Sequence, residues 1–99
     1  MKKRILFIIN PISGTAAKAQ IPGKIEKYLD QERFDYEIRN TEYAGHATRL
    51  ATQAAHDGID IVVAIGGDGT VNEVARALVH TRTALGIIPS GSGNGLARH

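Results

Sequence analysis

Gly66, Gly67, Asp68, Gly69 and Thr70 stand between an apolar run, Ile61 to Ile65, and a helix-like pattern that carries on through Val74. Alanine costs less backbone entropy than glycine wherever a positive φ is not needed, so three glycines in five positions answer some other demand. The chemistry they permit is anion binding. Glycine allows positive φ and removes the Cβ atoms that would hold a phosphate away from backbone N–H groups. A helix beginning near Thr70 adds unpaired N–H donors and a partial positive charge. Asp68 is the acidic side chain such a turn would hold beside the phosphates. It could act through metal-bound water, as a base towards an acceptor hydroxyl, or as a brace that accepts loop N–H bonds. Glu73, one turn further on, either takes part or only caps the helix and braces a neighbouring loop. The plain alternative is a tight strand-to-helix turn with no ligand.

Two other corners share this composition: Asn10-Pro11-Ile12-Ser13-Gly14, and the stretch from Pro89 to Gly95. Six of the eleven glycines lie in the second and third corners. Residues 1–73 carry nine Lys/Arg and ten Asp/Glu, whereas residues 74–99 carry three Arg and no carboxylate, which favours an anionic ligand near that end. No Lys falls in any of the three corners, so phosphate charge must be met by backbone dipoles, a metal ion, Arg98 or residues outside this chain. The pattern Gly-x4-Gly-Lys-Ser/Thr of a P-loop is not found. Residues 67–72 match all but the last glycine of the dinucleotide-binding pattern. They follow the third strand instead of the first, however, and no carboxylate lies beyond Glu73 to hold a ribose.

Corners of this kind need strands and helices to hold them. Ile5 to Ile9 and Ile61 to Ile65 are continuously apolar, as parallel strands covered on both faces should be, and Leu85 to Ile88 is a shorter third run. Residues 34–39 alternate, with Phe34, Tyr36 and Ile38 opposite Asp35, Glu37 and Arg39, which predicts an edge strand. Between these runs the period becomes helical. One face carries Ile21, Ile25, Tyr28 and Leu29; a second carries Ala47, Leu50, Ala51, Ala54 and Ala55; a third carries Val71, Val74, Ala75, Leu78 and Val79. The order β-α-β-α-β-α-β predicts an α/β fold, a Rossmann-like three-layer parallel sheet with strand order 2-1-3-4. In such sheets ligands bind beyond the carboxyl ends of the strands, where all three corners would share one rim. The last residues read as a loop entering a helix that stops after one turn, so the fold is expected to continue beyond residue 99.

With 99 residues and 42% apolar content the chain amounts to one domain or part of one. A net charge of +2 and 5% aromatics give no nucleic-acid footprint. Cysteine is absent, which excludes disulfides and thiolate metal sites and is compatible with a reducing cytosol. The basic start and apolar Ile5 to Ile9 fall short of a signal peptide, and no stretch has the length of a transmembrane helix. Lys2-Lys3-Arg4 reads as a solvated strand entry, although such a cluster could touch anionic lipid.

Taken together, GGDGTVNEV at 66–74, NPISG at 10–14 and PSGSGNGLAR at 89–98 resemble the catalytic domain of the diacylglycerol kinase family, which includes bacterial lipid kinases and sphingosine kinases. GGDGT by itself is less specific, because NAD kinases and, more loosely, phosphofructokinases carry a similar turn. Val71-Asn72-Glu73 and the later GSGN favour the lipid kinases. The resemblance implies that residues 1–99 form an incomplete N-terminal nucleotide-binding domain. A C-terminal β-sandwich domain that holds the lipid would be missing from this chain. It implies ATP as phosphoryl donor, with Mg²⁺ as the usual partner in such transfer. It further implies that Gly66, Gly67, Asp68, Gly69 and Thr70 wrap the phosphates, with Asp68 the candidate catalytic residue. Asn10, Pro11, Ser13, Gly14, Thr41, Asn72, Glu73 and Ser92 are the further nucleotide-site residues it implies. Gly95 departs from the family pattern, in which Asp is frequent, and so does His46, which is read as a cap or surface residue and left out of the site. No metal ligand is assigned. The implied partners are nucleotide and a diacylglycerol-like or sphingoid lipid, in a cytoplasmic protein that meets the inner membrane surface peripherally. An open sheet edge could also pair copies of the chain into a homo-oligomer. Alone, the 99-residue piece is expected to be inactive. A soluble-metabolite kinase and a non-catalytic anion- or partner-binding module are the other functions this pattern admits.

Overall fold

A computed structural model describes residues 2–11 and 21–89. Strands β1 (Lys3–Ile9), β2 (Phe34–Asn40), β3 (Ile61–Gly66) and β4 (Ala84–Pro89) alternate with helices α1 (Ile21–Tyr28), α2 (His46–His56) and α3 (Asp68–Leu78). Pairing is parallel throughout, in the order β2-β1-β3-β4, so the expected α/β sheet and its strand order are both observed.

The continuous apolar runs arise because successive side chains of a strand point to opposite faces, and here both faces are covered. Leu6 and Ile8 of β1 and Val62 and Ala64 of β3 join Ala47, Ala51 and Ala54 of α2 and Val74 and Leu78 of α3 in one buried cluster. Ile5, Phe7 and Ile9, with Ile65, form the second cluster beneath Ile25 of α1. Strand β2 alternates as an edge should: Phe34, Tyr36 and Ile38 pack on the α1 side, while Asp35, Glu37 and Arg39 are exposed. Phe7 meets Tyr36 edge-on, with ring centroids 6.2 Å apart.

Two residues assigned to apolar helix faces are exposed. Tyr28 is the last residue of α1, and Val79 is the C-cap of α3 with an extended backbone at ψ 133°. At Val79 helical periodicity carries one residue past the point where the backbone leaves the helix, whereas Tyr28 is exposed within α1 and Leu29, just beyond it, packs against the core. After Val79 the chain turns through His80 at φ 65°, and Thr81 closes the turn by donating both its N–H (3.0 Å) and its hydroxyl (2.7 Å) to the Leu78 carbonyl.

Helix α2 presents alanines to the sheet, and this brings it close to α3, where Thr48 Oγ1 donates to the Glu73 carbonyl at 3.3 Å. Ala51 has no exposed surface. Ala51→Leu is therefore expected to lower stability by about 1–3 kcal/mol through overpacking. A shift of the denaturation midpoint at unchanged m-value checks this.

Candidate functional site

Register decides which residues share the rim. Ile9 stands opposite Asn40 on one side and Ile65 on the other, and Gly66 stands opposite Pro89. The next hydrogen bonds extend that line: Asn10 N–H donates to the Ile65 carbonyl at 3.0 Å and Thr41 N–H to the Ile9 carbonyl at 2.8 Å. Asn10, Pro11, Thr41 and Gly66 thus come together at the carboxyl ends of three adjacent strands, with Gly67 to Glu73 rising beside them. Ser13, Gly14 and Ser92, together with Gly95 and Arg98, lie outside the described residues.

The β3–α3 corner differs in detail from the expectation. Among the described residues the glycines with positive φ are Gly45 and Gly58, not those of the corner. Gly67 is extended, at φ −82° and ψ −172°, and caps a helix that starts at Asp68, two residues earlier than expected. Glycine is needed at Gly66 for proximity instead. A Cβ there would lie 2.8 Å from both Cβ and Oγ1 of Thr70, closer than real Cβ atoms come. At Gly67 and Gly69 a Cβ would meet nothing within 4 Å, so both leave open space on the exposed side of the turn.

Thr70 is buried against Gly66, and its Oγ1 accepts a hydrogen bond from Asn10 Nδ2 at 3.3 Å. The first intrahelical bond of α3 runs from Val71 N–H to the Gly67 carbonyl at 3.1 Å. The N–H groups of Asp68, Gly69 and Thr70 therefore have no intrahelical partner, and the positive end of the helix dipole faces the rim. Asp68 and Asn72 are exposed, one helical turn apart. Among the described residues the Asp68 carboxylate has no hydrogen bond and no ion pair. Glu73 is half-buried and faces α2, and its carbonyl takes the Thr48 hydroxyl.

Such a turn can do two things: gather an anion on unpaired main-chain N–H groups, and offer one free carboxylate beside it. The open positions above Gly67 and Gly69 fit a phosphate chain. No group of three or more His, Cys, Asp or Glu that could hold a metal occurs among the described residues. A hollow of about 550 Å³, lined by Lys2, Lys3, Glu32, Arg33 and Phe34, lies at the amino ends of β1 and β2 and shares no residue with the rim.

His46, read from sequence as a cap or surface residue, is buried and belongs to the β2–α2 corner of the same rim. Gly45 before it, at φ 88°, was the signal that the backbone turns sharply there.

A family model described as diacylglycerol kinase catalytic domain matches residues 4–99. The chain is 38% identical over 101 residues to a diacylglycerol kinase of Staphylococcus aureus strain JH9, covering 99% of this chain and 32% of that protein. It is also similar to the crystal structure of a diacylglycerol kinase from Bacillus anthracis strain Sterne, at 31% identity and a TM-score of 0.71, over 97% of this chain and 36% of that one. The chain thus spans about a third of the length of the relatives it matches.

The two adjacent glycines should respond differently to the same added methyl group. Gly66→Ala must push the start of α3 away and is expected to cost about 1–3 kcal/mol. Gly67→Ala enters open space at an ordinary φ and should stay within about 0.5 kcal/mol of the parent. Thermal unfolding of the pair checks the contrast.

Proposed function

The chain belongs to the diacylglycerol kinase catalytic domain family, and from that premise we propose that it is the nucleotide-binding part of an ATP-dependent lipid kinase. The reaction moves the γ-phosphoryl group of ATP onto the hydroxyl of a diacylglycerol-like or sphingoid lipid. The hydroxyl oxygen bonds to the γ-phosphorus, the bond to the β–γ bridging oxygen breaks, ADP leaves, and the hydroxyl proton passes to a base.

What carries this reading is the first turn of α3, with main-chain N–H groups unpaired within the helix, open space at Gly67 and Gly69, and an exposed carboxylate at Asp68. Phosphoryl transfer needs positioning and charge neutralisation more than covalent chemistry from the protein. The turn gathers the phosphates on Gly67 to Thr70 with the dipole of α3 behind them. Asn10 holds Thr70, and with it the turn, against the end of β1. Thr41 and Pro11 flank the same rim, and Ser13, Gly14 and Ser92 are assigned to the nucleotide site by their motifs. Mg²⁺ on the nucleotide would neutralise charge on the phosphate oxygens, and Asp68 is the carboxylate of this corner placed to hold it through water. Removing a proton from the lipid hydroxyl is the other task open to the same carboxylate.

The lipid-binding part is assigned to sequence beyond this chain, a C-terminal β-sandwich domain in the longer enzyme. No helix among the described residues is long and apolar enough to cross a membrane. We place the enzyme on the cytoplasmic side, meeting its lipid at the membrane surface.

In the intact enzyme, Asp68→Asn is expected to abolish transfer of labelled phosphate from ATP to lipid while leaving the melting temperature within a few degrees of the parent. Near-normal turnover would count decisively against the assignment. Phosphorylation of NAD with indifference to lipid vesicles would point to a soluble-metabolite kinase instead. Gly67→Ala, neutral for folding, should weaken ATP binding at least about tenfold, because its methyl group stands where a phosphate would approach the main chain. Titration calorimetry with Mg-ATP reads that change.

A further inference from the structure

The corner between β2 and α2 is organised around one imidazole. His46 opens α2 and is 9% exposed. Its Nδ1 accepts the Glu42 N–H at 2.9 Å. The ring stacks on Tyr43, with centroids 4.4 Å apart and planes inclined by 13°. His46 N–H donates to the Tyr43 carbonyl at 3.1 Å, and Arg49 donates to the Tyr43 hydroxyl at 3.3 Å. The residue before Glu42 is Thr41, buried, with its N–H on the Ile9 carbonyl next to Asn10.

These contacts have one mechanical consequence. Strand β2 ends at Asn40, so the ladder that holds Thr41 gives Glu42 nothing to donate to. A ring nitrogen supplies that acceptor. What the imidazole contributes at this place is the Nδ1 lone pair that accepts this N–H. Helix α2 is anchored in turn through its alanines to the sheet and to α3. Thr41 is therefore held on both sides, its own N–H by the Ile9 carbonyl and the N–H of the next residue by His46.

We propose that His46 is a positioning residue of the nucleotide site, which fixes Thr41 at the rim by accepting the Glu42 N–H. This rests on the nucleotide-binding role of the rim argued above. The lone pair is the operative feature and the ring is secondary. An asparagine can present Oδ1 near the place of Nδ1, whereas phenylalanine keeps a ring that can stack and offers no acceptor.

The test measures binding of Mg-ATP to the intact enzyme by calorimetry for the parent, His46→Asn, His46→Phe, His46→Leu, Thr41→Ala and the pair Thr41→Ala with His46→Phe, with the melting temperature of each. His46→Phe and His46→Leu are expected to weaken binding about 5- to 20-fold, the effect of one lost hydrogen bond, while His46→Asn stays within about twofold. Thr41→Ala should weaken binding by a similar factor, and the double variant should bind no worse than the weaker single one, because both changes act through one contact. One folded variant without an acceptor is enough for the comparison. Parent-like affinity of that variant overturns the proposal, as do multiplying effects in the double variant and parent-like affinity of Thr41→Ala. If neither Phe nor Leu folds while Asn does, the acceptor serves the fold and the proposal is likewise overturned. A parent enzyme that does not bind Mg-ATP would instead overturn the nucleotide-site reading itself, which separates the two failures.

Discussion

At the point where β3 gives way to α3, Thr70 occupies the space that a side chain on Gly66 would need. There is no room for a methyl group between them. The first turn of the helix therefore lies directly on the end of the strand, and its unpaired N–H groups sit at the sheet rim instead of one side chain's width away. The same threonine hydroxyl receives Asn10 from the end of β1, so two strand ends and one helix start are tied at a single oxygen. The rest of the architecture keeps that junction in place.

It does so by layering. Alanines on α2 bring that helix near both the sheet and α3, and Thr48 links the helix pair at Glu73, one turn beyond the junction. On the opposite face α1 and Ile25 close over Ile5, Phe7, Ile9 and Ile65. At the far ends of the strands a carboxylate joins the main-chain bonds. Arg4 N–H donates to the Asp60 carboxylate at 2.7 Å, and Asp60 in turn receives Ala84 N–H on its carbonyl at 2.9 Å, so charged, solvated groups fasten the amino edge. The carboxyl edge is held by main-chain bonds, one amide, one hydroxyl and one imidazole.

Much of this was legible in the residues. Strands and their order followed from apolar runs that alternate between two buried clusters, and the edge position of β2 from Asp35, Glu37 and Arg39. The candidate site was proposed from three glycine-rich corners, of which Asn10, Pro11, Pro89 and the β3–α3 turn are described, at the carboxyl ends of the strands. What could not be read was why each glycine is there. Composition shows that a side chain is missing; it does not say whether the space is wanted for a left-handed backbone, as at Gly45, for a packed neighbour, as at Gly66, or for something from outside, as at Gly67. Periodicity likewise carried Val79 onto a buried face because it has no term for where a helix ends. His46 was misjudged for a related reason. Its partner is the backbone of a residue four positions earlier, and a main-chain donor leaves no trace in the sequence.

Burial of Thr70 also limits what this corner can recognise. With its hydroxyl accepting from Asn10 and its side chain enclosed, the turn presents a ligand chiefly with peptide N–H groups and one carboxylate. Main-chain donors on a helix end bind phosphate oxygens well and do not distinguish one base from another. On the proposed function, then, the β3–α3 corner sets the register of the phosphates, and any preference among nucleotides must arise further along the rim, towards Thr41 and Pro11. Choice of lipid must arise further still, because nothing in the corner is apolar enough to hold an acyl chain. The physical division is between a rigid phosphate seat, fixed by one glycine–threonine contact, and selectivity supplied by whatever the longer enzyme folds over it.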